Sequence, residues 1–405
     1  MAVVECKSIS GASEKVFLSQ PAITQAIAKI ERALGETLFV RRSDGMYPTQ
    51  AGDLFAVRVE RGIALLNESL RTIARLSARQ ASLGGGSALA FLTTTQLRAL
   101  IAVCEVENFS LASRNMGISQ PSLHRSARDL ESKLGVMLFE KTSTGISATK
   151  AARGLARAAK LAYAEFDQGR DEVASLRDDS AGRLIVGSMP LARTSVLPAA
   201  ILAFLDKHPS FAISVNDGPY DDLIQHLRNG DIDVLIGALR YPEPGADVIQ
   251  EPLFHSSIEI CARPGHPLLD QSDVTIEDLA SARWAIPRKG TPTRRIFESV
   301  FRKLDAEPPT AIVETGSLVM IRSLLASSDT MTMISRHQVQ QELENGELVT
   351  VPYDLGDTSR VIGITCRSGW KPTGNQVSFV EELRQQAQLV IRKNAVDQAA
   401  YSKTE

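Results

Sequence analysis

The segment SQPAITQAIAKIERALGETLF at residues 19–39 returns as SQPSLHRSARDLESKLGVMLF at residues 119–139. The two copies are 100 residues apart without a gap, and upstream of them Ala2-Val3 matches Ala102-Val103. Roughly a third of the aligned positions are identical, which is too many for chance. Because a stacked solenoid needs at least three repeats, two copies indicate a duplicated domain.

Each copy is predicted to consist of short helices joined by tight turns. In the second copy, apolar residues at helical spacing over 97–104 predict a first helix, and a short second helix ends at Gly117. Ser119 is placed as the N-cap of a third helix, with Pro121 in its first turn, where the missing N–H costs nothing. This is the helix-turn-helix arrangement, and residues 138–149 predict a two-stranded wing after it.

Composition excludes several classes of protein. Apolar residues make up 43% and charged residues 23% of the 405, which excludes a disordered or fibrous chain. Residues 1–180 carry 23 Lys and Arg against 19 Asp and Glu, whereas the remainder carries 22 against 28, so only the first half suits an anionic polymer. No apolar run approaches the roughly 18 residues that span a bilayer, and Met1 opens no signal peptide, so we expect a cytoplasmic protein without membrane contact.

The cysteines, histidines and motifs favour no catalytic or metal site. Cys6, Cys104, Cys261 and Cys366 lie far apart without a C-x-x-C pair, which favours small buried thiols over disulfides or a zinc site. The six histidines lack metal-ligand spacing. There is no G-x-S-x-G, H-E-x-x-H or G-x-x-x-x-G-K-[ST] motif. We therefore expect neither an enzyme nor a cofactor.

A long helix is predicted after each copy. Apolar residues after the first copy follow a 4-3-4-3 spacing at Val59, Ile63, Leu66, Leu70 and Ile73. The same spacing runs from Leu155 to Leu176 after the second copy. Such a heptad seam needs a partner helix, although packing of each helix on its own domain stays an alternative. The segment 82–87, SLGGGS, predicts a flexible linker between the two halves.

From Arg183 onward, strands alternate with helices, which predicts parallel sheets covered on both faces. Three loops at 188–190, 290–294 and 315–317 follow predicted strands and offer hydroxyls and free helix N–H groups. Ligands of open α/β sheets bind beyond the carboxyl ends of such strands. The alternative is that these Ser, Thr and Gly residues only cap helices.

The helix-turn-helix pattern resembles that of the LysR-type transcriptional regulators, and the resemblance covers nearly the whole chain. Copy two carries it in Ala112, Ser119-Gln120-Pro121-Ser122, Leu130-Glu131, Leu134-Gly135, Leu138-Phe139 and Thr149. Copy one carries it in Ala12, Ser19-Gln20-Pro21-Ala22, Ile30-Glu31, Leu34-Gly35, Leu38-Phe39, Arg41-Arg42, Thr49 and Ala51-Gly52. The chain departs from the family in having two copies, in starting copy one inside its first helix, and in Lys141-Thr142, where the family usually has a wing arginine.

The resemblance implies an α/β multi-domain protein: two winged helix-turn-helix domains with linker helices plus a two-lobed periplasmic-binding-protein-like α/β effector domain. The expected divisions are copy one at 1–52, a linker helix at 53–80, a flexible linker at 81–90, copy two at 91–150, a linker and dimerisation helix at 151–180, and the effector domain at 181–394. In this family the linker helix pairs two subunits, so a homodimer or homotetramer is expected.

The resemblance also implies sequence-specific binding of double-stranded promoter DNA, controlled by a small-molecule effector. On charge alone, the basic residues of the third helix are a solvated face, but the capped helix, the wing and the duplication favour DNA contact. The predicted DNA-contacting residues are Ser19, Gln20, Pro21, Thr24, Gln25, Arg41, Arg42, Ser119, Gln120, Pro121, Ser122, His124, Arg125, Arg128 and Lys141. The predicted effector-contacting residues are Ser188, Met189, Thr291, Thr293, Arg294, Thr315 and Ser317, and they suggest a carboxylate or another oxygen-rich anion.

Three alternatives remain open at this point. The chain could be a ligand-binding and assembly protein in which one or both repeats serve only in oligomerisation. Copy one could have lost DNA binding and only dimerise. An enzyme built on the two-lobed fold is the third alternative.

Overall fold

The computed structural model describes residues 1–76, 89, 92–143, 145–178, 181–194 and 196–401. Copy one contains α1 (Ala2–Cys6), α2 (Ile9–Val16), α3 (Gln20–Leu34), β1 (Phe39–Arg42) and β2 (Gly45–Pro48), and α4 (Gln50–Leu76) follows it. Copy two contains α5 (Thr94–Val106), α6 (Phe109–Met116), α7 (Gln120–Leu134), β3 (Phe139–Thr142) and β4 (Gly145–Ala148), and α8 (Lys150–Ser175) follows it. Of the expected flexible linker at 81–90, all but Leu89 lies outside the described residues.

The predicted turn, capped helix and wing are confirmed in both copies. The Ser119 hydroxyl accepts a hydrogen bond from the backbone N–H of Ser122 at 3.4 Å, which caps α7. Gly135 ends that helix with a φ of 67°, a left-handed conformation that suits glycine. A Glu131 carboxylate oxygen then accepts from the backbone N–H of Leu138 at 2.8 Å, which fixes the wing against the recognition helix. Glu31 makes the same contact in copy one, at 2.7 Å.

The copies differ in how well their cores are covered. The first helix of copy one, α1, has 5 residues, whereas α5 has 13. Ile30 is therefore 41% exposed, while its equivalent Leu130 is 1% exposed beneath α5.

The two linker helices pack against each other within one chain. A Cβ added at Gly62 of α4 would lie 2.5 Å from the ring of Phe166 in α8, and a Cβ added at Gly169 would lie 3.0 Å from the Cβ of Arg58. As residue numbers fall along α4 they rise along α8, so the helices are antiparallel. The prediction that the seam needs a partner helix is confirmed. The expectation that a second subunit supplies this partner is wrong, because the same chain supplies both sides.

The C-terminal region forms two lobes, each built on a five-stranded sheet with strand orders β6-β5-β7-β14-β8 in lobe one and β11-β10-β12-β9-β13 in lobe two. The strands are β5 (Arg183–Ser188), β6 (Ala212–Asp217), β7 (Val234–Ala238), β8 (Val248–Ser256), β9 (Ile258–Ala262), β10 (Arg283–Ile286), β11 (Ile312–Glu314), β12 (Thr330–Ser335), β13 (Val349–Thr350) and β14 (Arg360–Arg367). The helices are α9 (Val196–Leu205), α10 (Tyr220–Asn229), α11 (Ile276–Ser281), α12 (Pro292–Lys303), α13 (Leu318–Ser327), α14 (Gln340–Glu344) and α15 (Gly374–Tyr401).

The prediction of parallel sheets is confirmed for some strand pairs and wrong for others. Strands β5, β6 and β7 are parallel, but β14 pairs antiparallel with β7 and β8 because the chain returns to lobe one from lobe two. Strand β8, which contains Pro252, was not predicted from the sequence. Proline is tolerated there because β8 is an edge strand, and the register shifts beside Gly363, the partner of Pro252.

Lobe one is held directly against both linker helices. Arg58 and Arg61 of α4 donate to the backbone carbonyls of Lys371 and Gly369, both at 2.8 Å. On α8, Arg157 donates to the carbonyl of Arg228 at 3.1 Å, and Lys160 forms an ion pair with Asp231. The effector domain therefore contacts the helix pair, not a single helix.

The cysteines are free thiols within the described residues. Cys261 is fully buried, as predicted, whereas Cys6, Cys104 and Cys366 are only partly buried. Burial raises the thiol pKa of Cys104, Cys261 and Cys366 to about 12, so these three stay protonated at neutral pH. No helix in the described part of the chain combines the length and the apolar character needed to cross a membrane.

Candidate DNA-contacting surface and effector cleft

The recognition helices α3 and α7 present their predicted contact residues on an exposed face. Thr24, Gln25, Arg125 and Arg128 are exposed. On the opposite face, Leu123 is fully buried, and its equivalent Ile23 is 7% exposed. The apolar stripe thus fixes which side of each helix faces outward. The remaining exposed members of the predicted set on these helices are Ser19, Gln20, Pro21, Ser119, Gln120, Pro121 and Ser122.

Two predicted base-contacting residues of copy two also contact the preceding helix. The His124 ring stacks on Phe109 with 3.9 Å between ring centroids. The Gln120 side-chain oxygen accepts from the Ser110 hydroxyl at 2.9 Å. These contacts orient the first turns of α7 and leave Arg125 as an exposed cation beside them.

The wings carry the remaining cations of the predicted DNA-contacting set. Arg41, Arg42 and Lys141 are all exposed, and the Arg42 guanidinium lies 5.1 Å from the ring centroid of Tyr47. Wing cations next to a recognition helix are placed to neutralise backbone phosphates. In the predicted set, the wing of copy one carries two such cations, and the wing of copy two carries one.

The predicted effector loops lie where the two lobes face each other. Thr194, after β5, donates to the carbonyl of His337, after β12, at 3.2 Å. Thr293, after β10, accepts from the Arg360 guanidinium at 3.1 Å. Since β5 belongs to lobe one and β10 and β12 to lobe two, these contacts join the carboxyl-end edges of the two sheets. We call the space between these edges the effector cleft.

The structure gives the predicted effector residues different surroundings. Ser188 is fully buried, and Met189 packs on Gly237, where an added Cβ would lie 2.5 Å from the Met189 sulfur. Thr291 and Ser317 cap α12 and α13 by accepting from backbone N–H groups. Thr315 likewise accepts from the backbone N–H of Ser317 at 3.1 Å. For these three hydroxyls the observed contacts are those of caps and turns.

Arg294 is engaged by carboxylates. It is 7% exposed, and its guanidinium pairs with Glu298 at 2.7 Å and with Glu314 at 3.5 Å. Its charge is therefore compensated inside the protein. Thr293, the neighbouring predicted effector residue, accepts a hydrogen bond from another arginine, Arg360.

Two arginines that the sequence analysis missed lie at the cleft. The register of β7 and β14 pairs Ile362 with Ala238, and its continuation puts Arg360 opposite Arg240 at the same end of the sheet. The Arg240 guanidinium lies 4.2 Å from the ring centroid of Tyr220. Neither arginine pairs with a carboxylate among the described residues. In the sequence, each of these arginines lies next to an apolar run that predicts a strand, and this position could have identified both.

Burial leaves polar groups in this cluster without partners. Burial and the nearby charge of Arg240 lower the pKa of Arg360 to about 10. Burial also lowers the pKa of Arg240, with Arg295 adding repulsion. Within the described chain, neither the Arg360 Nε nor the Tyr220 hydroxyl has a hydrogen-bond partner. Two partly desolvated cations and a hydroxyl without a partner therefore lie together at the cleft.

The crossover between the lobes is tied by buried polar groups. The Ser256 hydroxyl, at the end of β8, hydrogen-bonds Ser335 and also His337 Nδ1, the latter at 2.9 Å. Thr358 donates to the carbonyl of Ile258 at 3.0 Å. Among the described residues, no group of three or more His, Cys, Asp or Glu side chains is placed to hold a metal ion.

An N-terminal helix-turn-helix region joined to a two-lobed α/β domain is the architecture of a DNA-binding regulator with an effector-binding domain. Residues 177–388 match the LysR substrate binding domain, and residues 1–53 and 94–153 match the bacterial regulatory helix-turn-helix protein, lysR family. The chain belongs to the LysR family of transcriptional regulators. It is a DNA-binding regulator with an effector-binding domain, and it is not an enzyme.

Relatives and solved structures agree with this assignment. HTH-type transcriptional regulator GalR of Pseudomonas putida is 33% identical over 385 residues, which cover 95% of this chain and 94% of that protein. HTH-type transcriptional regulator PcaQ of Agrobacterium fabrum is 26% identical, and 94% of it matches only 72% of this chain. The fold is that of CbnR, a LysR family transcriptional regulator, whose crystal structure is 20% identical with a TM-score of 0.51 and covers 73% of this chain and 99% of that one.

Proposed function

We propose that the chain is a tandem duplicate in which both winged helix-turn-helix copies bind promoter DNA, under the control of an anionic small molecule. The observation that carries the first part is that both copies keep a capped recognition helix with an exposed polar face. The residues that would contact base edges are Gln20, Thr24, Gln25, His124 and Arg125. The residues that would mainly contact phosphates are the wing cations Arg41, Arg42 and Lys141, together with Arg128. Binding to promoter DNA also implies a cytoplasmic location.

DNase footprinting of the upstream region of the protein's own gene and of flanking promoters, at two salt concentrations, tests DNA binding. We expect a protected region that weakens at the higher salt, because phosphate contacts release counterions. Substituting Gln25 and Lys29 with alanine tests copy one. An unchanged footprint would mean that copy one serves only in assembly. Deleting copy one is unsuitable, because Leu66, Leu70 and Ile73 of α4 belong to the core of copy two.

The effector we propose is a carboxylate or another oxygen-rich anion, bound in the effector cleft. Arg360, Arg240, Tyr220 and Thr293 would hold it. The support is the pair of half-buried guanidiniums without a carboxylate partner in the described chain. An anion would restore the charge balance and give the Arg360 Nε and the Tyr220 hydroxyl an acceptor.

Differential scanning fluorimetry with acetate, benzoate, succinate and inorganic phosphate tests this class of ligand, with glucose as a neutral comparison. We expect at least one anion to raise the melting temperature in a saturable way, since a ligand that binds only the folded state stabilises it. Arg360→Met should abolish this rise. A rise that persists in Arg360→Met would assign the anion to another site.

We further propose a homodimer or homotetramer whose subunit contacts lie on the effector domain. The linker-helix seam is already occupied within the chain, so the contact that the family resemblance suggested is not free. Leu202 on α9 is 67% exposed and Val319 on α13 is 73% exposed, and a subunit contact would cover such apolar groups. Light scattering of the wild type and of Leu202→Lys, Val319→Lys measures whether the oligomer depends on them.

A further inference from the structure

The two recognition helices belong to a single folded unit. Leu66, Leu70 and Ile73 from α4 are between 2% and 5% exposed and lie in the core of copy two. In the opposite direction, Val173 from α8 is fully buried against Leu34 and Leu38 of copy one. Each linker helix thus completes the core of the other copy. Neither seam is available to a helix from a second chain.

A buried polar network reinforces this pairing. Arg58 of α4, with a side chain 5% exposed, donates to Glu165 at 3.1 Å and to Gln168 at 2.9 Å, and it also pairs with Glu172. At the far end of α8, Arg177 donates to the carbonyl of Leu34 at 3.2 Å. These partners fix the register of the helix pair, because a slip of one turn would leave buried charges unpaired.

The pairing has an approximate two-fold symmetry. A Cβ added at Gly62 of α4 would lie against Phe166 and the carbonyl of Ala162 in α8. Residues 162 and 166 are the copy-two equivalents of residues 62 and 66, so equivalent segments of the two helices face each other. An approximate two-fold axis therefore crosses the pair near residues 64 and 164. The two copies related by this axis present two recognition helices, which is the arrangement that a two-half-site operator requires.

The two recognition faces are chemically different. Thr24 and Gln25 of α3 correspond to His124 and Arg125 of α7. On the next turn, Ala28 and Lys29 correspond to Arg128 and Asp129, and Arg32 corresponds to Ser132. Exposed side chains that differ at these positions offer different donors and acceptors to base edges. The two helices therefore present different chemical groups for contact with base edges.

We propose that one chain alone is the complete DNA-reading unit, and that its operator consists of two unlike half-sites, one read by α3 and one by α7. This inference rests on the proposed function that both copies bind DNA. If two chains each contributed the same recognition helix, the two half-sites would be expected to have the same sequence. Here one chain contributes two different recognition helices. The internal helix pair sets the spacing of the half-sites, so this spacing does not depend on the oligomeric state.

Selection of bound duplexes from a random pool, followed by hydroxyl-radical footprinting of the full-length protein, tests the proposal. We expect the selected operator to contain two half-sites of different sequence. Arg125→Ala, Arg128→Ala should lose protection at one half-site and weaken binding by roughly 10- to 100-fold. Gln25→Ala, Lys29→Ala should lose protection at the other half-site. Arg71→Ala, Arg75→Ala, exposed on α4, serves as the control and should keep both.

Each contrary result has a distinct meaning. Selection of a perfect inverted repeat, or loss of both half-sites in the α7 variant, would overturn the single-chain reading while leaving DNA binding intact. An unchanged footprint in the α3 variant would also overturn it. Failure of the wild type to select any sequence would instead remove the proposed DNA-binding function on which the inference rests.

Discussion

Arg360 holds a positive charge at the effector cleft, where burial and Arg240 lower its pKa to about 10. Arg360 hydrogen-bonds Thr293 but has no carboxylate partner among the described residues, and replacing such a largely buried charge with an apolar side chain of similar volume is often stabilising. We therefore expect Arg360→Met to raise the free energy of unfolding of the ligand-free protein by about 1–2 kcal/mol. Urea unfolding measures this change.

Arg294→Met is the matched control for Arg360→Met. Arg294 is also buried, but it pairs with Glu298 and Glu314, so its removal leaves two carboxylates without their cation. We expect this variant to lose stability, by about 1–3 kcal/mol. If both variants lose stability, Arg360 is compensated in the ligand-free protein and is not poised for an anion.

Asp171 gives the protein a pH-dependent stability. It lies on α8 beside lobe one, and burial raises the pKa of its carboxyl to about 6, although Arg183 lies 3.5 Å away. A carboxyl whose folded pKa exceeds its unfolded value of about 3.9 binds more protons in the folded state. Stability should therefore fall as pH rises from about 4 to 6, and Asp171→Asn should remove this fall.

Urea unfolding at pH 4 and pH 7.5 measures the effect. Partial exposure of Asp171 screens its charge, so we expect Asp171→Asn to gain only about 1 kcal/mol at pH 7.5. At pH 4 the gain should nearly vanish. Glu60→Gln, exposed on α4, controls for the change in net charge. An equal gain from Asp171→Asn at both pH values would point to a hydrogen bond of the amide instead.

Residue-scale prediction from the sequence succeeded where local geometry decides. Ser119 and Gly117 were placed correctly because caps depend on a few neighbouring residues. The role of the loop hydroxyls in effector binding stays a prediction, and Arg294 was grouped with them on proximity in sequence alone. The partners that decide the role of a cation, such as Glu314 for Arg294, come from distant segments. Arg240 and Arg360 were missed for the same reason, since 120 residues separate them.

At the scale of elements, the seam of α4 and α8 depends on glycine. Gly62 is buried, and a Cβ there would lie 2.5 Å from the Phe166 ring and 3.3 Å from the carbonyl oxygen of Ala162. We expect Gly62→Ala to lower the free energy of unfolding by about 1–3 kcal/mol, because the added methyl group overpacks the seam. Phe166→Leu in the same chain should recover part of this loss.

Gly154 offers the matched control within α8. Nothing lies within 4 Å of a Cβ built there, and the residue is exposed. Gly154→Ala should therefore raise stability by about 0.5–1 kcal/mol, because alanine loses less backbone entropy in a helix. Equal effects of the two substitutions in thermal unfolding would mean that the helices are not closely packed at residue 62.

Periodicity predicted the long helices and their seam, but it could not identify the partner. An apolar stripe records that one face of a helix is buried and carries no information about which chain covers it. The antiparallel pairing depends on contacts between distant segments, such as Gly62 with Phe166 and Gly169 with Arg58. Strand β8 was missed because Pro252 argues against a central strand, and its place at the sheet edge is a tertiary property.

At the scale of the whole molecule, the basic charge belongs to the half that carries the recognition helices and the acidic charge to the effector domain. If DNA affinity follows local contacts, only cations near the phosphates should contribute to its salt dependence. Each lost phosphate contact lowers the slope of log affinity against log salt by about 0.9. Arg41→Ala, Arg42→Ala should therefore reduce the slope by nearly 2, with little change in sequence preference.

Arg302→Ala, Lys303→Ala makes the same change in net charge on the exposed end of α12 in lobe two. It should leave the slope unchanged, because these side chains lie on the effector domain and take no part in phosphate contacts. Fluorescence anisotropy with a labelled operator at four salt concentrations measures both slopes. Equal losses from the two variants would show that the overall field attracts the DNA, and would remove the wing of copy one from the set of DNA contacts.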